Sequence, residues 1–505
     1  METNLFQLFD DAYPDKGKVV IETAAAGRIN FEDIVHETGR YANALLAGGA
    51  VRGDRVAVQV EKSVEALVLY LACLRAGIVF LPLNTAYTLA ELDYFIRDAE
   101  PAIVVCDPAR RDALAPVVAS VGGRIETLDG SGSGTLPECA AAQSDRFETV
   151  EVGPEELAAI LYTSGTTGRS KGAMLTHCNL ASNALVLREC WRFQPEDVLL
   201  HMLPIYHAHG LFVATNVTLI AGASMIFLPR FDSDEAIGHW RRASVMMGVP
   251  TFYTRLLQTP LLSRSAASGM RLFISGSAPL LAETHREWQD RTEHAILERY
   301  GMTETGMNTS NPYVGDRIAG TVGFPLPGVE IRVSDPETGG ELGHDEIGML
   351  EVRGPNVFKG YWRMADKTKS EFRDDGFFIT GDLAKIDARG YVHLVGRGKD
   401  LVISGGFNVY PKEVETEIDA MPGVLESAVI GVPHPDFGEG VTAVVVLDGT
   451  AEVGEDEIQR QLEHRLAKFK LPKRVLFADE LPRNTMGKVQ KNILREKHAA
   501  LYAST

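Results

Sequence analysis

The sequence predicts an α/β protein: parallel sheets covered by helices, a small antiparallel barrel-like unit, and a final α+β domain. Three observations carry this expectation. Apolar runs of strand length alternate with helix-period segments from Arg55 to about residue 300. Short, turn-rich strand candidates crowd residues 318–396. A compact mixed pattern fills the residues beyond Gly396-Arg-Gly-Lys-Asp400.

Arg55-Val-Ala-Val-Gln-Val60 reads as a strand. Val64, Leu67, Leu71 and Leu74 then recur at steps of three and four, one face of a helix. Ile78-Val-Phe-Leu-Pro82 is the next strand, Leu92, Phe95 and Ile96 mark a short amphipathic helix, and Ala102-Ile-Val-Val-Cys106 is a further strand. This β-α-β-α-β order argues for a parallel sheet. Gly122 to Gly134, rich in Gly and Ser, reads as a surface loop. Alternation resumes at Leu157-Ala-Ala-Ile-Leu-Tyr162. In the last domain, strands are expected at Leu401–Ser404, Ser427–Gly431 and Val441–Leu447. A helix near 456–469 carries Ile458, Leu462, Leu466 and Phe469 on one face.

The chain has 505 residues, 50 Lys and Arg against 68 Asp and Glu, and a formal charge of −18. So acidic a chain repels nucleic acid and anionic membrane, and neither is expected as a partner. Any anionic ligand must be met by local positive potential. Five cysteines, with no C-x-x-C pair, disfavour a disulfide framework or a cysteine zinc site and fit a reducing compartment. The N-terminal residues lack the basic and apolar regions of a signal peptide, and no apolar run is long enough to span a membrane. A cytoplasmic location is the expectation.

The first chemical feature is Leu161-Tyr-Thr-Ser-Gly-Thr-Thr-Gly-Arg-Ser-Lys-Gly172, directly after an apolar strand. Hydroxyls at Thr163, Ser164, Thr166 and Thr167 alternate with Gly165 and Gly168, and Lys171 adds a point charge. Small residues let backbone N–H groups approach an anion, and the hydroxyls add donors. The lysine spacing is not that of a Walker loop.

This loop resembles the signature of the adenylate-forming superfamily, which includes acyl-CoA synthetases. Further stretches match in the family's order. Ser275-Gly276-Ser277-Ala278-Pro279-Leu280 resembles its adenine-side motif, and Arg299-Tyr300-Gly301-Met-Thr303-Glu304-Thr305 its Tyr-Gly-x-Thr-Glu motif. Tyr361-Trp362 with Thr380-Gly-Asp382 resembles the ribose-side motif. Gly396-Arg397-Gly-Lys399-Asp400 with Ser404-Gly405-Gly406 resembles the hinge, and Pro482 to Lys488 the C-terminal lysine loop. The resemblance implies an N-terminal domain of stacked α/β sheets over 1–396, a hinge at 397–400 and a small mobile C-terminal domain over 401–505. It also implies two half-reactions: a carboxylate and ATP give an acyl-adenylate and pyrophosphate, then the thiol of coenzyme A displaces AMP.

By the same resemblance, residues from Thr163 to Lys171 hold the leaving phosphates and Glu304 is the Mg²⁺ ligand, a hard oxygen anion suited to that ion. Thr303 donates to the α-phosphate. Ser275, Gly276, Ala278, Pro279, Tyr300 and Gly301 hold adenine, and Asp382 with Arg397 the ribose. Lys488 swings in to meet the α-phosphate in the first half-reaction, and its acylation would remove that charge. Lys399 is the hinge residue, and Gly405, Gly406 and His207 border a pantetheine tunnel. A non-catalytic nucleotide-binding regulator would be expected to have lost Lys488 or Glu304, and both are present.

The acyl group is read from unusual residues. Arg299 stands inside the adenylate motif, and a buried guanidinium needs an anionic partner. One partner is the second carboxylate of a dicarboxylic acid, bound in a fork; the other is Glu298 or another acid of the chain. Arg255 is a second possible clamp. His209 adds a polar group two residues after His207, Ser277 offers a donor, and Met307 lies in the same pocket motif. The stretches His207 to Asn216, Leu272 to Leu281 and Glu298 to Asn308 are most similar to malonyl-CoA and methylmalonyl-CoA synthetases. The small Ala208 leaves room for a methyl. The alternative is a general short-chain or aryl acyl-CoA ligase.

Overall fold

The computed structural model describes residues 4–24, 27–163, 170–404, 407–451, 453–463, 465–466, 468–484 and 487–502. Two large sheets dominate. The first has seven strands, in the order Gly360–Tyr361, Lys171–Thr176, Leu157–Thr163, Val79–Pro82, Arg55–Gln59, Ile103–Cys106 and Arg124–Thr127. The pairings among the last five are parallel, as short connections through helices require. The second has nine strands; its centre, from Val19–Thr23 through Ser224–Phe227, Val198–His201, Val245–Gly248 and Leu272–Ser275 to Leu297–Met302, is parallel too.

The helix Val64–Ala76 differs from the one-faced helix expected. Every residue from Ala66 to Ala76 is buried, because it packs against the helix Phe31–Ala47 and against Asn216, whose side chain takes a 3.1 Å hydrogen bond from the Tyr70 hydroxyl. A helix apolar all round is an interior helix. The Gly122–Gly134 stretch is not all loop either. Arg124–Thr127 forms the edge strand of the first sheet, pairing with Ile103–Cys106. Its flanking glycines hide so short a strand from sequence patterning.

The barrel-like unit is an open sheet. Glu330–Ser334, Gly348–Arg353, Phe378–Ile386 and Val392–Arg397 form four antiparallel strands in sequence order, with the first and last unpaired to each other. The strands after Asp400 form a separate five-stranded sheet built on the hairpin Val424–His434 and Gly438–Leu447. Helices cover both its faces: Val414, Ile418, Ile458 and Leu462 pack on one side, and Leu494 with Tyr502 on the other. The last helical expectation is shortened to Glu455–Glu463, with Leu466 and Phe469 continuing the same apolar face beyond it.

Val198–His201, Val245–Gly248 and Leu272–Ser275 end together at the carboxyl edge of the nine-stranded sheet. Ligands of open parallel sheets sit in such a crevice.

Candidate active site

At one end of the crevice are the phosphate-loop residues. Thr163 ends one strand and Lys171 begins its hairpin partner. Ser164, Gly165, Thr166, Thr167 and Gly168 lie outside the described residues, as do Gly405 and Gly406. The Thr163 hydroxyl donates to Glu304 at 3.3 Å, and the Tyr361 hydroxyl is 3.1 Å from the same Oε1. Tyr361, part of the stretch that resembles the ribose-side motif, stands at the phosphate end instead, because its strand pairs with Lys171–Thr176. Its hydroxyl is also 2.7 Å from Glu371, which pairs with Lys171 at 3.1 Å.

Glu304 is buried and has no ion-pair partner among the described residues. Desolvation raises its pKa, opposed by the Tyr361 hydrogen bond and the Lys171 charge. A buried carboxylate with an adjacent hydroxyl and no paired cation is a donor set that fits Mg²⁺, which takes one or two carboxylates beside substrate phosphates.

The middle of the crevice is set by Tyr300, Asp382 and Arg397. The buried Tyr300 hydroxyl donates to Asp382 Oδ2 at 2.5 Å, and Arg397 Nε reaches Oδ1 at 2.7 Å. Each carboxylate oxygen keeps a further lone pair for a sugar hydroxyl. Lys488 faces this cluster, with Asp382, Arg397, Lys399 and Asp400 as its electrostatic neighbours. Burial lowers its pKa to about 8, and Arg397 pushes the same way. The loop that carries it is closed by Asn484, whose Oδ1 accepts from the Lys488 amide at 2.9 Å. That loop docks on the N-terminal part: a Cβ on Gly487 would lie 3.1 Å from Thr251. Asp400, beside the exposed Lys399, is tied to Arg495 at 2.8 Å.

Arg299 occupies the far end. It is 4% exposed, and its Nε and Nη2 have no hydrogen-bond partner among the described residues. The pairing with Glu298 is ruled out, because Glu298 bonds His285 at 2.9 Å instead. Adjacent residues on the strand Leu297–Met302 point to opposite faces, a rule that applies to the sequence directly. Desolvation pulls the guanidinium pKa down, with only Tyr253 opposing. Around it stand His207, lowered to about 4 by burial and then by Arg299, and His209, pushed well below the imidazole range by the same causes in the same order. His209 Nδ1 is 3.0 Å from the Ser277 hydroxyl, and its Nε2 has no hydrogen-bond partner among the described residues. Ser277 holds a φ of +72°, a strained conformation for a residue other than glycine. The pocket is a buried cation among neutral donors and acceptors.

Ser275 is buried and its hydroxyl has no hydrogen-bond partner among the described residues; Ala278 and Pro279 follow just beyond the strand end. Gly301 admits no side chain, since a Cβ there would meet the Gly306 carbonyl at 2.1 Å. Met307 is buried, its backbone clasped by Asn183 at 2.8 and 3.0 Å. Thr303 lines a small cavity with Ala208, Phe212, Val213 and Gly306. Arg255 is a correction: it is exposed. The helix Pro250–Gln258 buries Tyr253 and Leu256 and turns Arg255 outward. Tyr253, two residues earlier, is the buried neighbour that Arg299 feels electrostatically, its hydroxyl donating to the Ile274 carbonyl at 2.7 Å. Sequence reading passed over Tyr253, Glu371 and Asn183; helical phase around Pro250 was the one available pointer to the first.

Gly276 exposes the guanidinium to a direct test. A Cβ at this position would lie 2.3 Å from Arg299 Cζ. The intruded group is the end of a flexible side chain, so Gly276→Ala is expected to fold normally while displacing Arg299. Thermal denaturation should show Tm close to wild type, while any activity that depends on Arg299 falls at least about tenfold.

Residues 7–362 match the family described as AMP-binding enzyme, and residues 413–488 match the AMP-binding enzyme C-terminal domain. The structure of ATP-bound MatB from Rhodopseudomonas palustris is 67% identical and covers 99% of this chain and 100% of its own, with a TM-score of 0.98. The apo structure of the same protein, with the same identity and coverage, gives 0.87. A malonate–CoA ligase from Arabidopsis thaliana is 34% identical over 482 residues, 89% of this chain and 78% of its own length.

Proposed function

The chain belongs to the AMP-binding enzyme family, and from that premise we propose that it ligates malonate to coenzyme A through a malonyl-adenylate, releasing AMP and pyrophosphate. The observation that carries the choice of acid is Arg299: a buried guanidinium with unused donors, facing His209 and Ser277. An acid with a second carboxylate one carbon from the first satisfies it; a monoacid leaves it bare.

In the first half-reaction an oxygen of the near carboxylate bonds to the α-phosphorus of ATP, and the bond to the β-phosphate oxygen breaks. Arg299 takes the distal carboxylate and orients the near one. Thr163 and Lys171 meet the leaving phosphates. Tyr300, Asp382 and Arg397 fix the nucleoside, and Lys488 and Thr303 meet charge growing at the α-phosphate. Glu304, with Thr163, would hold Mg²⁺, which when bound neutralises phosphate charge. In the second half-reaction the coenzyme A thiol attacks the acyl carbon and AMP leaves. His207 faces that approach.

Asp400 and Lys399 mark the hinge, with residues 1–396 and 401–505 as the bodies it joins. Lys399 lies in the one-turn 3₁₀ segment Gly398–Asp400, and the φ typical of such a turn is one a proline accepts. Lys399→Pro should therefore hold the present arrangement: pyrophosphate release persists and thioester formation fails. Loss of both half-reactions, or of neither, in single-turnover assays would remove the hinge from this position.

Methylmalonate is a second substrate on this reading, because the small side chain of Ala208, next to His209, leaves room for a methyl. Acylation of Lys488 is proposed to switch the first half-reaction off, since it removes the cation; chemically acylated enzyme that stays fully active would defeat this. The five cysteines are all free, which suits the cytoplasm, where we place the enzyme. No helix among the described residues is long and apolar enough to cross a membrane.

The function is tested by a panel of acids with ATP, Mg²⁺ and coenzyme A, following thioester and AMP. Malonate and methylmalonate should be used well, and succinate, propionate and coumarate poorly. A preference for propionate or coumarate would favour the general acyl-CoA ligase. The same assay tests Lys488 by pH. Its ammonium is needed charged, so kcat/KM for ATP should fall as pH rises through about 8. Lys488→Arg should move that fall to higher pH.

A further inference from the structure

The strands Arg55–Gln59 and Val198–His201 belong to different sheets, and a pair of side chains joins their carboxyl ends. Lys62 lies just before the helix Val64–Ala76. Its Nζ is 3.0 Å from His201 Nδ1 and 2.9 Å from the His201 carbonyl, and it sits 4.2 Å from the Phe227 ring centre. No carboxylate pairs with it among the described residues. On the other side of the imidazole, His201 Nε2 is 3.0 Å from the Gly210 carbonyl and 3.2 Å from Thr215 Oγ1.

These contacts assign the hydrogens. A carbonyl only accepts, so His201 Nε2 carries a hydrogen and donates to Gly210. On the neutral ring Nδ1 is then a lone pair, and Lys62 donates to it. Burial, and then the Lys62 charge, hold His201 neutral, well below the usual imidazole range.

Gly210 is part of the π-turn His209–Thr215. Such turns are rare, widen the helix by one residue and recur at functional sites. The Gly210 carbonyl takes both the His201 N–H and the Thr215 hydroxyl, the latter at 3.0 Å. Pro204 crowds the same residue: its carbonyl would lie 2.0 Å from a Cβ on Gly210. One residue earlier, His209 turns its ring toward Ser277 and Arg299. Anchoring Gly210 therefore fixes where His209 stands.

We propose that Lys62, acting through His201, is a positioning residue that determines acid specificity: it fixes the His201 Nε2–H tautomer, which anchors the Gly210 carbonyl and sets His209 in the receptor for the distal carboxylate. The proposal rests on the malonate reading above. Among the described residues, Lys62 makes its contacts with His201 and Phe227 and none with Thr163, Lys171, Asp382, Arg397 or Lys488, so its effect is expected on the acid.

The test compares Lys62→Met, His201→Gln and His201→Asn with wild type, measuring KM for malonate and KM for ATP at saturating coenzyme A. Lys62→Met should raise KM for malonate about tenfold, the order of one buried hydrogen bond, and leave KM for ATP within about twofold. Glutamine places its amide N–H near the position of Nε2; asparagine reaches only the position of Nδ1. His201→Gln should therefore keep a malonate KM several-fold lower than His201→Asn, a ranking that also decides the matter where Lys62→Met does not fold. An unchanged malonate KM in Lys62→Met, equal rises in both KM values, or asparagine matching glutamine would overturn the proposal. A wild type inactive on malonate defeats the malonate reading and this proposal with it. An active wild type with unmoved variants defeats this proposal alone.

Discussion

Arg299→Ala should cut kcat/KM for malonate by about 2–5 kcal/mol, a loss of thirtyfold to several thousandfold. The variant removes the buried cation proposed to meet the distal carboxylate, while His209 and Ser277 remain as neutral partners. Propionate has no distal carboxylate, so its rate should not fall in parallel; it should rise relative to malonate, because the bare guanidinium that penalised it is gone. Succinate tests register. Its extra methylene moves the distal group by more than about 1 Å, a displacement sufficient to cost two orders of magnitude. Steady-state kinetics on the three acids in both enzymes decide the matter. An equal loss on all of them would make Arg299 a structural residue.

The second large effect is Lys488→Ala. Removing a positioned cation from the developing charge at the α-phosphate should cost about 3 kcal/mol or more in malonyl-adenylate formation, a hundredfold or beyond. Supplied malonyl-adenylate should still be converted to thioester at near the wild-type rate, because that step does not need a cation at the α-phosphate. Gly487 packs on Thr251 in the arrangement seen here, so Lys488 is placed beside Asp382 and Arg397 by domain docking as well as by its own loop. Separate assays of pyrophosphate exchange and of thioester formation distinguish the two steps. Equal losses in both would contradict the assignment.

The parts of this molecule legible in sequence are those whose physics is local. Buried strands such as Ile103–Cys106 are continuous apolar runs, and the phosphate loop states its chemistry in a dozen consecutive residues. The edge strands are less visible: Gly27–Asn30 is half exposed and Arg124–Thr127 is four residues between glycines. Contacts between distant segments were not legible at all. Nothing near Tyr361 in sequence says that its hydroxyl will meet Glu304, and nothing near Lys62 points to His201. Strand alternation does separate Arg299 from Glu298, so the unpaired guanidinium was within reach of the sequence. Helical phase likewise separates Tyr253 from Arg255, but only once the helix start at Pro250 is fixed.

The central claim is that a buried guanidinium selects the acid by charge, and malonamate tests it most directly. Malonamate matches malonate in size and differs by a distal amide in place of the carboxylate. In malonate- or malonamate-dependent pyrophosphate exchange by the wild-type enzyme, malonate should exceed malonamate in kcat/KM by at least about thirtyfold, and Arg299→Ala should remove most of that ratio. Equal use of the two acids by the wild type would contradict the account.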